Sequence, residues 1–307
     1  MEAMVSVIIV SFNTRELLQG CIQSIYATTE DLDYEIIVVD NASRDGSPEA
    51  VEKEFEGVRI IRNSENLGFA KATNQAIKVA GGKYFLLVNS DTIMKKGTVG
   101  KLVGFIKKNP GVAAAGPKVL NPDGTLQNKG FSFPSVAYAL IVLFGINKFL
   151  SEKLKRKWFP KFYWSENETR EVDYLEGSCL LLTKEAVDKI GLLPETFFMY
   201  FEEAEWCWLA KQRQYGIWYF PGAEIIHLCA SSPLAEKERV FEKSLTLFYK
   251  RNIGRSRGLV IAILSLAASF IDLSASLLFK NGVSRRENIR AEMQRRTRLL
   301  RGLIGPD

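Results

Sequence analysis

Apolar runs and amphipathic stretches alternate along the N-terminal part of the chain. Residues 5–10, 34–39 and 84–88 are almost wholly apolar, and each run ends in polar residues. Runs of this length between turn signals predict strands buried on both faces. A shorter run at 58–61 predicts another strand. Between the first two runs, Leu17, Leu18, Cys21, Ile22 and Ile25 fall on one helical face behind Thr14, a favoured N-cap. Ser47 and Pro48 suit the N-cap and first helical position of a second helix, and the turn Asn66-Leu67-Gly68-Phe69 opens a third that runs to Ala80. Further on, the pattern predicts a helix over 97–108, a strand over 112–115, a turn at Asn121-Pro122-Asp123-Gly124, strands at 172–174 and 178–182 and a helix over 184–190. A helix begins among Glu202, Glu203 and Glu205, followed by short strands at 217–220 and 224–226. Strands alternating with helices imply an α/β fold with a mostly parallel sheet. Right-handed crossovers then bring the loops after residues 10, 39 and 88 to one edge.

Those loops hold Ser11-Phe12-Asn13, the segment from Asp40 and Asn41 to Ser47, and Asn89-Ser90-Asp91. Ligands of open parallel sheets sit at the carboxyl ends of strands. Asp91 either caps the next turn or holds a divalent cation. Mg²⁺ and Mn²⁺ bind through one or two carboxylates together with substrate phosphates. The site is nucleotide-sized, yet the chain has neither a GxGxxG fingerprint nor a P-loop. Glu202, Glu203 and Glu205 read either as a solvated first helical turn or, because aromatic residues flank them, as desolvated acids with raised pKa. His227 is the only histidine; behind an apolar pair it is either packed or a metal or diphosphate contact, and Ser231 and Ser232 lie just beyond it.

A chain of 307 residues can form one large domain or two small ones. Its net charge of +6 is unevenly placed. Residues 280–301 carry Lys280, Arg285, Arg286, Arg290, Arg295, Arg296, Arg298 and Arg301 against Glu287 and Glu292, which suits anionic head groups. Nucleic acid is not expected, because no aromatic-interleaved binding motif accompanies the basic tail. Cys21, Cys179, Cys207 and Cys229 are widely spaced, which argues against a zinc site or a disulfide framework and fits a reducing compartment. No signal peptide is read at the N-terminus. Residues 258–279 hold 22 positions with Asp272 as their only charge, long enough to span a bilayer. Ser265, Ser269, Asp272 and Ser276 form one polar stripe on that helix. The expected arrangement is an embedded or interfacial helix with the stripe packed on protein, including a second subunit; a buried oligomer helix is the alternative. The apolar run 136–150 and the basic, aromatic run 153–161 read as a membrane- or acceptor-facing insertion, or as a core helix.

The motifs VIIVSFN at 7–13, VVDNASRDGS at 38–47, NLGFAKATN at 66–74, LLVNSD at 86–91, EGSCLLL at 176–182 and FMYFEEAE at 198–205, with the late His227, resemble the family-2 glycosyltransferases of the GT-A (Rossmann-like) fold, most closely the rhamnosyltransferase-like branch. The resemblance covers roughly residues 4–232. It implies a metal-dependent inverting transfer, with rhamnose from dTDP-rhamnose the leading donor and a dTDP- or UDP-sugar the class. The acceptor would be a glycan or polyprenyl-linked molecule in cell-surface polysaccharide synthesis, at the cytoplasmic face of the membrane. Asp40 would bond the pyrimidine base, and Ser11 to Asn13 would wall its pocket. Gly68 would approach the donor, braced by Asn66 and Asn74. Asn89, Ser90 and Asp91 occupy the DXD position, with Asn89 on a ribose hydroxyl and Asp91 on Mg²⁺ or Mn²⁺. His227 would join the metal. The general base would be Glu203, or its neighbours Glu202 and Glu205. The family's usual Glu-Asp-x-Asp is here Glu-Glu-Ala-Glu, and its usual Arg falls on Leu209, leaving Lys211 or Arg213 to substitute. A non-catalytic nucleotide-sugar scaffold and a nucleotidyltransferase are the other readings. Residues 1–232 would form the transferase domain, 1–95 its nucleotide half and 96–232 its acceptor half, and 233–307 a helical membrane-associating region, possible site of a homo-oligomer.

Overall fold

The computed structural model describes residues 4–29, 32–229, 234–278 and 283–305. The chain forms two compact units, Met1–Phe131 with Glu166–Pro233, and Ser132–Ser165 with Leu234–Asp307. In the first, the elements up to the excursion are β1 (Val5–Ser11), α1 (Arg15–Thr28), β2 (Tyr34–Asp40), α2 (Ser47–Glu54), β3 (Arg59–Arg62), α3 (Phe69–Val79), β4 (Tyr84–Asn89), β5 (Thr92–Met94), α4 (Thr98–Lys108), β6 (Val112–Leu120) and β7 (Leu126–Asn128). The second unit interrupts with α5 (Val136–Leu143), α6 (Ile146–Phe149) and α7 (Glu152–Trp158). The first resumes with β8 (Arg170–Glu171), β9 (Cys179–Thr183), α8 (Lys184–Ile190), α9 (Glu202–Gln212) and β10 (Gly216–His227). The second closes with α10 (Leu234–Phe248), a π-turn (Tyr249–Ile253), α11 (Arg255–Leu278) and α12 (Val283–Ile304).

The sheet runs in the order β3-β2-β1-β4-β9-β6-β10-β5, with β7 beside β6 and β8 beside β10. The first four strands are parallel, as their apolar runs predict. β9 then runs antiparallel between β4 and β6, so the sheet is mixed. No single crossover helix joins β4 to β9, and the handedness rule therefore does not fix β9's direction. Val7, Ile9, Leu86, Val88 and Leu181 are fully or almost fully enclosed, and α1 lays Leu18, Cys21, Ile22 and Ile25 against them. β6 runs on to Leu120 through Gly116 and Pro117, residues that in sequence mark a strand's end. The two short runs after residue 216 are one strand with an irregularity between Tyr219 and Glu224. Helix α2 starts one residue earlier than expected: Gly46 is its N-cap, and the Asp45 carboxylate accepts the Ser47 N–H at 3.0 Å.

In the second unit, the polar stripe of α11 faces protein. Ser269 is buried, Asp272 pairs with Lys148, and the Ser265 carbonyl accepts from Arg296. Ser276 lies outside the residues whose side chains are described, as do Lys280, Arg285, Arg286, Glu287, Ser231 and Ser232. Part of the basic tail is held internally. Arg298 donates to Glu242 at 2.6 Å and Arg295 to Glu238 at 3.2 Å, which ties α12 to α10. Periodicity alone could not separate these arginines from the others.

Candidate active site

Parallel register sets Ser11 beside Asp40 and Val10 beside Asn89, so the first polar residues after three strands share one edge. Asp40 is 4% exposed. Its Oδ2 accepts the Ser43 N–H at 3.0 Å, while Oδ1 is buried with no hydrogen-bond partner among the described residues. A buried acceptor left unpaired costs about 1–3 kcal/mol, so this oxygen suits a donor brought by a ligand. Asn13 is held at φ 53°, its N–H on Ser43 Oγ at 2.8 Å and its Oδ1 on the Arg44 N–H at 2.8 Å. It braces the 40–45 loop. Thr14 makes no side-chain cap to its helix. Its hydroxyl instead bridges Ser11 and Ser90, each at 3.0 Å, which locks the first and fourth loops together.

Asn41 donates to the Gly68 carbonyl at 3.1 Å, and Asn66 Oδ1 accepts the Gly68 N–H at 3.0 Å. Gly68 sits at φ +80°, and a Cβ there would stand 2.2 Å from the Phe198 carbonyl oxygen. That carbonyl accepts the Phe69 N–H at 2.8 Å. The glycine therefore lets the start of α3 touch the loop that leads into α9. Asn74 does not brace this turn. Its amide donates to the Leu193 carbonyl at 2.8 Å and accepts the Leu193 N–H at 3.0 Å, holding the loop after α8. The reason is helical geometry: Asn74 lies on the buried face of α3, more than a turn from Gly68.

Asp91 is 1% exposed, and its Oδ1 lies 3.1 Å from His227 Nε2. Antiparallel pairing of Thr92 with His227 makes the contact, supported by the Leu228 N–H on the Asp91 carbonyl at 3.0 Å. The imidazole is oriented from behind. Gln127 donates to Asn121 Oδ1 at 2.9 Å and to the His227 carbonyl at 3.0 Å. Its Oε1 is then the acceptor that faces His227 Nδ1 at 2.8 Å. The Cys229 thiol is a more distant neighbour of Nδ1 at 3.6 Å. A proton on Nδ1 leaves the Nε2 lone pair facing a carboxylate oxygen. Two acceptors at that distance suit a shared cation: adjacent ligands of an octahedral Mg²⁺, each at about 2.1 Å, stand about 3 Å apart. Asp91 and His227 thus fit a divalent ion with room for substrate oxygens. Among the described residues no third His, Cys, Asp or Glu joins them as a ligand group. Gln127 escaped sequence reasoning; the one signal was its position just after the Asn121–Gly124 turn.

Helix α9 begins after Tyr200 and Phe201, both in the left-handed region at φ 69° and 70°. Such strain in bulky residues costs on the order of 1–3 kcal/mol each and concentrates at functional sites. Glu202, Glu203 and Glu205 are all buried, so this is not a solvated turn. Oε2 of both Glu202 and Glu203 lacks a hydrogen-bond partner among the described residues. Burial pushes the Glu203 carboxyl up to about 7, with Glu176 adding to the shift; burial and the neighbouring Glu203 push Glu202 well above the carboxylate range. Burial also raises the Tyr200 hydroxyl, and Glu202, Asp91, Cys229 and Glu203 each add to it. Tyr200 is thus within electrostatic reach of Asp91 and of both buried acids. Lys211 is taken by Glu171 at 2.7 Å, and Arg213 is exposed with its guanidinium on the Leu209 carbonyl at 3.4 Å. Neither side chain's contacts lie with the site residues, because both stand past the second turn of α9.

The sequence model of glycosyl transferase family 2 matches residues 6–191. The chain belongs to that family. This glycosyltransferase is 26% identical over 249 residues to the N-acetylglucosaminyl-diphospho-decaprenol L-rhamnosyltransferase of Mycobacterium tuberculosis, an alignment covering 76% of this chain and 78% of the relative. Its fold is that of GT-A glycosyltransferases. A mannosyltransferase from Pyrobaculum calidifontis, solved with GDP-Man and Mn²⁺, superposes with a TM-score of 0.64 at 15% identity, covering 99% of this chain and 87% of that one. The S. aureus TarS fragment 1-349 with UDP-GlcNAc gives a TM-score of 0.54 at 13% identity, with 97% and 81% covered. Membership of the family makes the chain an enzyme and sets aside both the scaffold and the nucleotidyltransferase readings.

Proposed function

We propose that this glycosyltransferase moves a sugar, rhamnose from dTDP-rhamnose being the leading candidate, with inversion onto a polyprenyl-linked or glycan acceptor in cell-envelope polysaccharide synthesis, at the cytoplasmic face of the membrane. The observation that carries it is the buried Asp91–His227 pair, 3.1 Å apart at the tip of β4, with Glu202 and Glu203 buried at the start of α9. Asp40 Oδ1, unpaired and buried, accepts from the donor's pyrimidine base. Ser11 and Asn13 shape the loops around it, and Asn41 fixes Gly68 against the donor. Asn89 reaches a ribose hydroxyl, and Ser90 holds the loop through Thr14. Asp91 and His227 would hold Mg²⁺ or Mn²⁺, which would supply Lewis-acid neutralisation of the leaving diphosphate. Glu203 takes the acceptor's hydroxyl proton; a base with pKa about 7 is half ionised at neutral pH and can both gain and keep it. Glu202, raised by burial and by Glu203, lies beside it, and Glu205 anchors the helix from a buried position. The rhamnose assignment is supported by the rhamnosyltransferase relative at 26% identity, whose named acceptor is a diphospho-decaprenol lipid.

The test is dTDP release from dTDP-rhamnose with Mn²⁺ and a polyprenyl-diphosphate acceptor. Glu203→Gln should lose about 10²–10⁴-fold in turnover with donor affinity kept. Asp91→Asn should lose metal-dependent donor binding as well. Undiminished turnover in Glu203→Gln would place the base elsewhere, and undiminished metal dependence in Asp91→Asn would overturn the cation site.

A further inference from the structure

Charge divides sharply between the two units. Ser132–Ser165 with Leu234–Asp307 carries 21 Lys and Arg against 8 Asp and Glu, a surplus of 13, and the remainder of the chain carries a deficit of 7. The sequence hid this, because the cationic segment 148–161 is far along the chain from the C-terminal helices and joins them only in the fold.

The same unit turns an apolar face outward. On α11, Ile263, Phe270 and Ile271 are 54%, 61% and 52% exposed, while Ser269 is buried and Asp272 is paired with Lys148. Ile261, Ala262 and Ala268 are buried on the same side as Ser269, and the largest side chains of the opposite side, Ile263, Phe270 and Ile271, stand in solvent, where a helix of a soluble protein carries polar residues. The stretch Arg255–Ser274 has a mean hydropathy of 1.7. The insertion repeats the pattern: Phe144, Phe149 and Trp158 are 69%, 86% and 58% exposed, interspersed with Lys148, Lys153, Lys155, Arg156 and Lys157. The Lys148–Asp272 pair brings the two together, since Phe149 follows one partner and Ile271 precedes the other. Large exposed apolar patches mark interaction sites. Aromatic side chains among cations suit the headgroup boundary of an anionic bilayer, where rings sink into the acyl edge and cations meet phosphate.

We propose that the second unit is a composite membrane-docking module, in which the α5–α7 insertion and the apolar face of α11 seat together on an anionic lipid surface. The proposal deepens the reading of a lipid-linked acceptor and rests on it for purpose, though not for its physics. The charge surplus selects lipid over a second copy of the chain, because two such faces would repel.

The experiment is flotation of the full-length chain with phosphatidylcholine vesicles, with and without phosphatidylglycerol, at low and high salt. The wild type is expected to float with the anionic vesicles, less so at high salt. The variant Phe144→Ser/Phe149→Ser/Trp158→Ser is expected to bind at least about tenfold more weakly, while its thermal shift with dTDP and Mn²⁺ matches the wild type. Wild type that fails to float, or a triple variant that floats equally well, overturns the docking surface. Sedimentation showing dimers that the triple substitution dissociates assigns the face to a second copy and likewise overturns it. Donor turnover on a short soluble acceptor reports the proposed activity separately, so a vesicle failure beside intact turnover sinks the docking surface alone.

Discussion

Gln127 acts on the site without touching where substrate would lie. Its amide direction is set by two acceptors, Asn121 and the His227 carbonyl, so only Oε1 is left for the imidazole. Since His227 is the sole histidine, side-chain ¹H–¹⁵N spectra report its tautomer without assignment. With Mg²⁺ bound, the wild type is expected to carry the proton on Nδ1. Gln127→Leu should shift the population toward Nε2–H and weaken Mn²⁺ binding by about 10–100-fold, measured by electron paramagnetic resonance of free Mn²⁺. Gln127→Glu, which keeps an acceptor, should restore the tautomer. An unchanged tautomer in Gln127→Leu would leave the glutamine a purely structural role.

At the scale of elements, the junction of α3 with the loop into α9 is the tightest contact of the site. Gly68 combines a left-handed φ with a backbone oxygen 2.2 Å from where a Cβ would sit. Gly57 has a similar φ of +83° with nothing within 4 Å. Gly57→Ala carries a positive-φ penalty of about 1 kcal/mol and no clash, whereas Gly68→Ala must adopt φ 80°, ψ −177°, a region essentially glycine's alone, and also displaces Phe198 and, through it, Glu203. Turnover should fall at least about tenfold in Gly68→Ala and remain near wild type in Gly57→Ala. Equal activity in the two would mean that the contact does not position the acids. β6 teaches a related lesson. Its Gly116-Pro117 read as a break, yet the strand continues because past the proline β10 pairs Lys118 to Leu120 on one side and β7 pairs Val119 and Leu120 on the other, and pairing on both sides outweighs local propensity.

For the whole molecule, the buried acids set stability against activity. A carboxyl raised from its ordinary 4.5 to about 7 leaves the folded state binding more protons than the unfolded chain between those values. Stability contributed by the protonated form is fully present below about 4.5 and is lost as pH rises through about 7. The loss is up to about 3 kcal/mol if the shift is fully realised. Turnover needs Glu203 ionised and moves the other way. Thermal unfolding in the absence of ligand is expected to show Tm falling from pH 5 to 8 while turnover rises toward a plateau near neutrality. Glu203→Gln should flatten the Tm profile. A wild-type Tm that rises across this range would show that the acids are not held protonated.

The alternation of apolar runs determined by itself the first four strands, their order along the chain and the edge at which Ser11, Asp40 and Asp91 gather, because β1, β2 and β4, covered on both faces, need largely unbroken apolar runs. The short motifs marked Glu203 and His227 as candidates, but the meeting of His227 with Asp91 was decided in three dimensions. That pairing depends on an antiparallel return of β10 beside β5, which no local signal specifies. Gln127 and the strained Tyr200–Phe201 bend were invisible for the same reason: each matters through a partner distant in sequence. The second unit is the clearest case, since the insertion and the C-terminal helices are separated by residues 166–233 and only packing brings their charges together.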